Sequence, residues 1–226
     1  MTESLQRCQC EGIEQEFDEK GAAKALKRYR QKGPDKTTRM LLDALVAEGV
    51  EGMTLLDIGG GVGAIPNRLL RAGVATAAGV DASTAHVKAA GEEAQRQGHA
   101  DRVSFHHGNF VEMAAQIPPA DIVTLDRVIC CYHDVEGLVG GAAEKADRFL
   151  GAVYPRDTWW ARAFERVGNA YQWARRRSFR GFVHRTHVVD GLLRKNGLIP
   201  RSHGQTILWQ VVVYARPSAG SEAAML

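Results

Sequence analysis

The sequence lacks long hydrophobic runs, because none of its apolar stretches approaches the roughly 18 to 20 residues that a membrane span needs. Its first residues, MTESLQRCQCEGIEQEFDEK, are polar and acidic and contain no apolar core of a signal peptide. Only 4 cysteines occur, in the tight pairs Cys8/Cys10 and Cys130/Cys131. Neither their number nor their spacing is typical of a disulfide framework or of a C-x-x-C zinc site. We therefore expect a cytoplasmic protein with reduced thiols and no bound metal.

The chain also lacks a strong net charge, with 29 Lys and Arg residues against 26 Asp and Glu residues. This mild basic excess argues neither for nor against nucleic-acid binding. With 226 residues, 45% of them hydrophobic, the chain is long enough for one α/β domain and too short for two. We find no internal repeat that would indicate a solenoid or a propeller.

From residue 53 onward, short apolar runs alternate with helical stretches. Runs without polar alternation are typical of strands buried on both faces, and they cover residues 53–59, 74–81, 102–108, 120–126 and 148–155. The helical stretches between them cover residues 63–72, 83–97, 109–116 and 135–146. Because parallel strands need crossover helices, this alternation predicts a doubly wound α/β fold with a parallel sheet.

The two ends of the chain differ from this alternation. Two helices, separated by the break Lys32-Gly33-Pro34-Asp35, precede the first strand. Two closely joined β runs, LIPRSHG and QTILWQVVVYAR, follow the last helix, and their short connection predicts an antiparallel last strand. We therefore expect an N-terminal helical cap (1–50), an α/β domain (51–216) and a disordered tail (217–226).

The stretch LLDIGGGVGAIP (55–66) joins the first strand to a helix through a glycine-rich turn. Such a turn presents backbone N–H groups and the positive end of a helix to an anionic group. Its Gly59-x-Gly61-x-x-Ala64 pattern matches the dinucleotide fingerprint, and Asp81 ends the next strand, where an acid binds ribose hydroxyls. A nicotinamide-dependent oxidoreductase is therefore one alternative.

Asp57, two residues before the glycines, favours a different ligand. Its carboxylate would repel a pyrophosphate and attract a cation. S-adenosylmethionine carries a positive ammonium and a positive sulfonium, a carboxylate for the N–H groups of the loop, and a ribose for Asp81. The charge pattern therefore predicts S-adenosylmethionine as the cofactor.

Four motifs, in this order and spacing, resemble those of the class I S-adenosylmethionine-dependent methyltransferases. They are Asp57-x-Gly59-x-Gly61-x-Gly63, Asp81, Gly108-Asn109-Phe110 and Asp121-Ile122-Val123-Thr124-Leu125-Asp126. The resemblance implies a Rossmann-like seven-stranded sheet of order 3-2-1-4-5-7-6, with an antiparallel last strand and helices on both faces. It implies an enzyme that methylates a small-molecule acceptor.

The resemblance also implies a set of cofactor-binding residues: Asp57, Gly59, Gly60, Gly61, Gly63, Asp81, Ala82, Gly108, Asn109, Phe110, Asp126 and Arg127. The side-chain oxygen of Asn109 would accept from the adenine amino group, a role that many relatives give to Asp. Phe110 would pack on the adenine face, or it would open the next helix as a core aromatic residue.

The catalytic candidates are His133, Tyr132 and Tyr29. His133 and Tyr132 follow the fourth strand in DRVICCYHD, at the sheet edge where ligands of open α/β folds bind. His133 has the pKa range of a general base with Asp134 beside it, but Asp134 could instead cap the next helix and leave His133 exposed. Tyr132 would line the pocket or pack beneath that helix.

The paired cysteines raise one more alternative. Cys8 and Cys10 could fold over the pocket to meet Cys130 and Cys131 and bind a soft metal or metalloid, although packed thiols are favoured.

The segment 156–185 carries eight arginines and only two acids, Asp157 and Glu165. It also places Trp160, Phe164, Val167 and Tyr171 on one helical face. Such a face could receive a planar anionic acceptor, and the segment faintly resembles magnesium-protoporphyrin and ubiquinone-biosynthesis O-methyltransferases. The favoured interpretation is an apolar face packed on the sheet, with the arginines in solvent.

Nucleic acid is a disfavoured substrate, because no N/D-P-P-Y/F-type motif for a flipped base follows the fourth strand. A cofactor-binding module without catalysis stays open as an alternative. The sequence does not indicate the acceptor atom or the oligomeric state.

Overall fold

The structure, a computed structural model, describes residues 11–217. Residues 11–16 are helical, and the helices that follow are α1 (Glu19–Lys32), α2 (Lys36–Ala47), α3 (Ala64–Arg71), α4 (Thr84–Gln97), α5 (Phe110–Met113), α6 (Val135–Lys145), α7 (Trp159–Ala174) and α8 (Thr186–Lys195). The strands are β1 (Thr54–Ile58), β2 (Thr76–Asp81), β3 (Val103–His107), β4 (Ala120–Asp126), β5 (Ala146–Pro155), β6 (Ile199–Gln205) and β7 (Trp209–Ala215). Cys8, Cys10 and the predicted disordered tail from residue 218 onward lie outside the described residues.

These strands form one seven-stranded sheet in the order β3-β2-β1-β4-β5-β7-β6. The first five strands pair in parallel, and β7 pairs antiparallel with both β5 and β6. The predicted fold class, strand order and antiparallel last strand are confirmed. The sheet order reverses between β1 and β4, and this reversal opens a crevice at the carboxyl ends of the strands.

Helices cover both faces of the sheet. On one face, Leu41 of α2 and Leu69 of α3 pack in the same buried cluster as Leu55 of β1. On the other face, Leu138 of α6 lies in a second cluster with Leu56 of β1. Because neighbouring strand residues point to opposite faces, Leu55 and Leu56 enter different cores, which explains the continuous apolar runs in the sequence.

Helix α1 is tied to α4 by a buried carboxylate. Glu93 of α4 is fully buried and accepts hydrogen bonds from Arg30 of α1 at 2.8 Å, and from Arg96 and Gln97 of its own helix. Burial alone would raise the pKa of Glu93, but these hydrogen bonds and the charge of Arg96 lower it to about 2. The ionised carboxylate therefore stabilises the contact between α1 and α4.

Glu93→Gln is expected to lower the free energy of unfolding by about 2 kcal/mol at neutral pH, because it removes hydrogen bonds to a charged acceptor. In the wild type this contribution is complete above pH 4.5 and falls as the pH is lowered towards about 2, since the pKa of Glu93 is lower in the folded than in the unfolded chain. Urea unfolding at several pH values measures both effects. The exposed neighbour variant Glu92→Gln is the matched control and should leave the acid limb unchanged.

Helix α7 contradicts one expectation. Its apolar residues Trp160, Phe164, Val167 and Tyr171 share one face, as the spacing predicted, but all four are exposed. The interpretation that this face packs on the sheet is wrong. Helical periodicity tells which residues share a face and not whether another element covers that face. Within residues 11–217, no helix is both long enough and apolar enough to cross a membrane.

Candidate functional site

A cavity of about 580 Å³ lies at the carboxyl ends of β1, β2 and β4. Its wall contains residues 59–61 after β1, Asp81 and Ala82 at the end of β2, and residues 126–128 at the end of β4. This is the edge where open α/β sheets bind their ligands. A second cavity of about 390 Å³ lies at the opposite ends of β1 and β2, and its described lining contains none of the predicted site residues.

The glycine loop after β1 needs glycine for two different reasons. Gly59 and Gly61 have φ angles of 68° and 55°, in the left-handed region that favours glycine. Gly60 lies so close to Asp57 that an added Cβ would be 3.0 Å from the carboxyl carbon of Asp57 and closer still to its Oδ2. Gly63 occupies the N-cap position of α3. The loop therefore places bare backbone in the cavity wall beside the start of a helix.

Asp81 joins this loop to the end of β2. Its Oδ2 accepts from the backbone N–H of Gly61 at 2.9 Å, and its Oδ1 accepts from the backbone N–H of Ser83 at 2.8 Å. An ionised carboxylate has about four acceptor positions, so these two bonds leave capacity for ligand hydroxyls. Asp81 thus shapes the loop and also faces the cavity.

Asp57 lies beneath the loop and outside the described lining of the cavity. It is completely buried; its Oδ1 accepts from the hydroxyl of Thr124 at 2.6 Å, and its Oδ2 has no hydrogen-bond partner within the described part of the chain. Burial raises the pKa of Asp57 to about 7; the bond from Thr124 opposes this, and the charges of Asp126 and Asp81 add to it. A buried carboxyl with an unmatched oxygen favours the approach of a positive group.

Asp57 should make the protein less stable as the pH rises. Because its pKa is about 7 in the folded chain against 3.8 as the reference, the folded chain binds more protons between these values, and stability falls from about pH 4 to about pH 7. Asp57→Asn is expected to flatten this part of the curve. Thermal unfolding across this range tests it, with the exposed Asp43→Asn as the matched control. If the stability of Asp57→Asn fell between about pH 4 and about pH 7 as steeply as that of the wild type, the raised pKa of Asp57 would be contradicted.

A charged cluster closes the side of the cavity between β4 and α2. Arg127 donates to Asp126 at 3.1 Å and to Asp35 at 2.8 Å, while Thr38 donates to Asp126 at 2.5 Å. Asp35 also pairs with Arg28. Burial lowers the pKa of Arg127, but the two carboxylates raise it by more. The pKa therefore lies above its usual value, and Arg127 stays positively charged. The sequence predicted Asp126 and Arg127 but missed the part played by Asp35 and Thr38.

Nothing in the sequence indicated that Asp35 would belong to the charged cluster. It belongs to the predicted break between the first two helices and occupies the N-cap position of α2, but its side chain makes no capping hydrogen bond. Its carboxylate is engaged by arginines from α1 and from the end of β4 instead. Arg127 itself has a φ angle of 62°, which is unusual for a residue other than glycine. The local sequence carries no signal for either feature.

The N-terminal segment forms a wall of the cavity that the sequence did not predict. Ile13 and Phe17 contribute to the lining, and the backbone oxygen of Phe17 accepts from the hydroxyl of Ser83 at 2.7 Å. The ring of Phe17 lies 5.5 Å from that of His86 and 5.8 Å, edge-on, from that of Phe179. Aromatic side chains from three parts of the chain therefore meet around Phe17.

Tyr29 is the catalytic candidate that the structure places in the cavity wall. It lies on α1 and is largely buried, and its hydroxyl accepts from Gln97 at 3.4 Å. Tyr132 is buried elsewhere and lies outside the described lining. Of the two alternatives for Tyr132, packing beneath the helix is the one observed.

The predicted adenine-binding turn also lies outside the described lining. The side-chain oxygen of Asn109 accepts from the backbone N–H of Val111 at 3.1 Å and from the hydroxyl of Tyr132 at 2.8 Å. An amide oxygen has two lone pairs, so these bonds occupy both. Phe110 is buried in the core, as its alternative interpretation expected. Gly108 precedes this turn, and its backbone N–H donates to the carbonyl of Asp81 at 3.0 Å.

His133 is a further predicted site residue that contacts neighbouring side chains outside the cavity. Its ring stacks on Tyr132 with centroids 5.9 Å apart, and it lies 6.5 Å from the ring of Phe182. It is outside the described lining of the cavity. Asp134 caps α6, because its carboxylate accepts from the backbone N–H of Gly137 at 2.9 Å. The capping alternative for Asp134 is confirmed, and a catalytic role for His133 stays a prediction.

Cys130 and Cys131 do reach the cavity wall. Their sulfur atoms are 3.9 Å apart, and both thiols lie within hydrogen-bonding distance of the carbonyl of Arg127. The hydrogen bond with Cys131 and the charge of Arg127 hold the pKa of Cys130 below its usual value, against burial, whereas the pKa of Cys131 is raised. The pair lies at the site, although the sequence favoured simple packing.

Comparisons with known proteins show what this chain is similar to. Residues 50–160 match a family model described as a methyltransferase domain. No curated protein matches the chain. The chain is similar to the solved structure of magnesium protoporphyrin IX methyltransferase from Synechocystis PCC 6803 with bound SAH, at 20% identity and a TM-score of 0.67, over 91% of this chain and 98% of that one.

Two further solved structures are similar to this chain. The Synechocystis PCC 6803 enzyme with bound SAM matches at 18% identity and a TM-score of 0.62, over 88% of this chain and 98% of that one. An O-methyltransferase family protein from Burkholderia thailandensis matches at 18% identity and a TM-score of 0.68, over 92% of this chain and 64% of that one. At these identities the structural similarity shows the fold, and the predicted resemblance is confirmed. Residues 50–160 are therefore similar to a methyltransferase domain, and the chain has the fold of these methyltransferase structures.

Proposed function

We propose that the protein transfers the methyl group of S-adenosylmethionine to a small-molecule acceptor, and that the 580 Å³ cavity is where both bind. The observation that carries the proposal is the meeting of the bare glycine loop, the start of α3 and Asp81 in one wall of that cavity. A zwitterionic cofactor with a ribose matches this combination of N–H donors and a carboxylate.

The residues present fit that cofactor on two observations. The unmatched Oδ2 of buried Asp57 lies directly beneath Gly60, where it favours positive charge above the loop. The backbone of Gly59, Gly60 and Gly61 is open to the cavity because these residues carry no side chain. We assign the carboxylate of the cofactor to the loop and the start of α3, and its ribose to Asp81 and Ala82.

When bound, S-adenosylmethionine supplies an electrophilic methyl group on a sulfonium. The protein has to hold the acceptor in line with that group and to exclude water. Phe17, Tyr29 and Trp209 supply apolar wall for this purpose, and Tyr29 also offers a hydroxyl. We assign Tyr29 the role of positioning the acceptor. An acceptor that is already an anion needs no strong base, so His133 and Tyr132 need not reach the cavity.

The other predicted roles remain proposals. Gly63, Asp126 and Arg127 would fix the shape of the site, since Gly63 begins α3 and the other two belong to the charged cluster. Gly108, Asn109 and Phe110 stay predicted adenine-side residues. The division into a cap (1–50) and a catalytic domain (51–216) is also a proposal, supported by the contribution of α1 and α2 to the cavity wall.

We propose a planar anionic acceptor as the substrate class. Aromatic residues line the cavity together with Arg28, whose guanidinium also pairs with Asp35. The similar Synechocystis PCC 6803 protein is named for magnesium protoporphyrin IX, whose ring is planar, which supports the same class.

Incubation of the purified protein with methyl-labelled S-adenosylmethionine and metabolite extracts, read by mass spectrometry, tests the function. Magnesium protoporphyrin IX serves as a defined planar anionic probe. We expect label in at least one planar anionic small molecule, and none with the Asp81→Ala variant. Cofactor binding without label in any small molecule would contradict methyl transfer and would favour the non-catalytic binding module.

A further inference from the structure

Helix α7 is oriented opposite to an ordinary surface helix. The residues that face the protein are polar: Glu165, Asn169 and Gln172 are half-buried, and Ala161 is the apolar residue buried beside them. The face towards solvent is apolar, with exposed fractions from 37% to 77% at Trp159, Trp160, Phe164, Val167, Tyr171 and Trp173. A surface helix normally shows the reverse pattern. We call these six residues the α7 apolar face.

The polar side of α7 is fixed by specific hydrogen bonds. The side-chain amide of Asn169 donates to the carbonyl of Gly181 at 2.8 Å and accepts from the N–H of Gly181 at 2.8 Å. Gln172 donates to Glu16 at 3.1 Å, and Arg162 pairs with Asp157. Because these bonds hold the helix by its polar side, its apolar face is turned outward by the fold itself.

A second element near the start of α7 also exposes apolar residues. In the turn between β6 and β7, Ile207 and Leu208 are exposed by 77% and 43%. The backbone N–H of Arg156 donates to the carbonyl of Leu208 at 2.8 Å, so this turn lies next to the start of α7. Exposed apolar residues concentrated on two nearby elements exceed the scattered apolar residues of an ordinary surface, and large apolar patches mark interaction sites.

The charge around this surface selects its partner. Arg166 and Arg175 flank the α7 apolar face by helical position, and Arg176 follows the helix. Among residues 11–217, none of these three arginines forms a salt bridge with a carboxylate. The acids of the segment point elsewhere, since Asp157 pairs with Arg162 and Glu165 bonds to Asn169. The rim of the apolar face is therefore cationic.

A second copy of the chain fits this surface poorly. Two such faces in contact would bring two cationic rims together without carboxylates between them, which costs free energy. An anionic lipid surface fits both parts, because the aromatic side chains enter the boundary between headgroups and acyl chains while the arginines meet lipid charge. We propose that the α7 apolar face binds the surface of an anionic membrane, with α7 lying in the plane of the interface.

This inference is separate from methyl transfer, because vesicle binding is measured without cofactor or acceptor. Three of the 4 tryptophans lie on the α7 apolar face, so intrinsic fluorescence reports on it directly. Wild-type protein is titrated with vesicles of phosphatidylcholine alone and of phosphatidylcholine mixed with phosphatidylglycerol, and binding is also measured by co-sedimentation. We expect a blue shift of emission and an affinity about tenfold or more higher for the anionic vesicles, falling as salt is added.

The double variant Phe164→Ser/Val167→Ser is expected to weaken binding to anionic vesicles by about tenfold or more, since two exposed apolar side chains are removed. Val46→Ser removes an apolar side chain that is 46% exposed on α2 and is the matched control, with no expected effect. Arg166→Gln/Arg175→Gln should reduce the salt dependence. Equal binding to both vesicle types, or no effect of the Phe164/Val167 variant, would overturn the proposal. So would a wild-type dimer that this variant dissolves, which would make the face an interface between copies.

Discussion

Replacing Asp81 by Ala is expected to weaken binding of S-adenosylmethionine by about 100-fold or more. The variant removes a charged acceptor that holds the N–H groups of Gly61 and Ser83, and that we assign to the ribose. Hydrogen bonds to a charged group contribute roughly 1.5 to 3 kcal/mol each, so the loss of one net ligand bond and of the loop anchor exceeds two orders of magnitude. Isothermal titration gives the affinity of each variant.

Two comparisons separate ligand binding from stability in that experiment. Asp101→Ala removes an exposed acid near the other end of the sheet and should bind the cofactor like the wild type. Thermal unfolding without ligand shows whether Asp81→Ala is folded at the temperature of the titration. A folded Asp81→Ala protein with wild-type affinity would remove Asp81 from the site.

Gly60→Ala is expected to destabilise the protein by about 3 kcal/mol, because the new methyl group overlaps the buried carboxylate of Asp57. The loop must move to relieve the overlap, so cofactor affinity should fall with stability. Chemical unfolding gives the first quantity and titration the second. Gly91→Ala is the matched control, since its Cβ would meet open space within a helix and should be neutral or slightly stabilising.

A double variant tests the cause. Asp57→Ala removes the carboxyl atoms and leaves only its own Cβ, 3.7 Å from the added methyl group, which is ordinary contact. Gly60→Ala should therefore cost at least about 1 kcal/mol less in the Asp57→Ala background than in the wild type. Additive effects of the two substitutions would show that the overlap is not the cause.

The fold could be predicted from the sequence because its signals are local. Apolar runs, helix breaks and the short connection before β7 determine the type and order of the elements, and the family resemblance supplied the strand order. The same local signals did not show which side of α7 is buried, because spacing places Phe164 and Tyr171 on one face without showing what covers that face. Contacts between distant segments, such as the hydrogen bonds of Asn169 to Gly181 and of Gln172 to Glu16, determine which side of α7 faces the protein.

Only the parts of the site that directly follow a strand in the sequence could be predicted. The glycine loop and Asp81 follow directly from strands, so their meeting at one sheet edge could be inferred. Phe17, Asp35 and Thr38 reach the cavity through packing between distant segments, and no sequence pattern marks them. Tyr132 and Asn109 bond to each other, a contact that one sequence without its structure cannot reveal.

The central claim is that the glycine loop and Asp81 bind S-adenosylmethionine rather than a nicotinamide dinucleotide. Isothermal titration of the wild-type protein with S-adenosylhomocysteine, and separately with NAD, tests it most directly. We predict saturable binding of S-adenosylhomocysteine in the micromolar range and no binding of NAD, because the unmatched oxygen of the buried Asp57 favours a positively charged group over a pyrophosphate. Binding of NAD, with no binding of S-adenosylhomocysteine at high micromolar concentration, would contradict the claim.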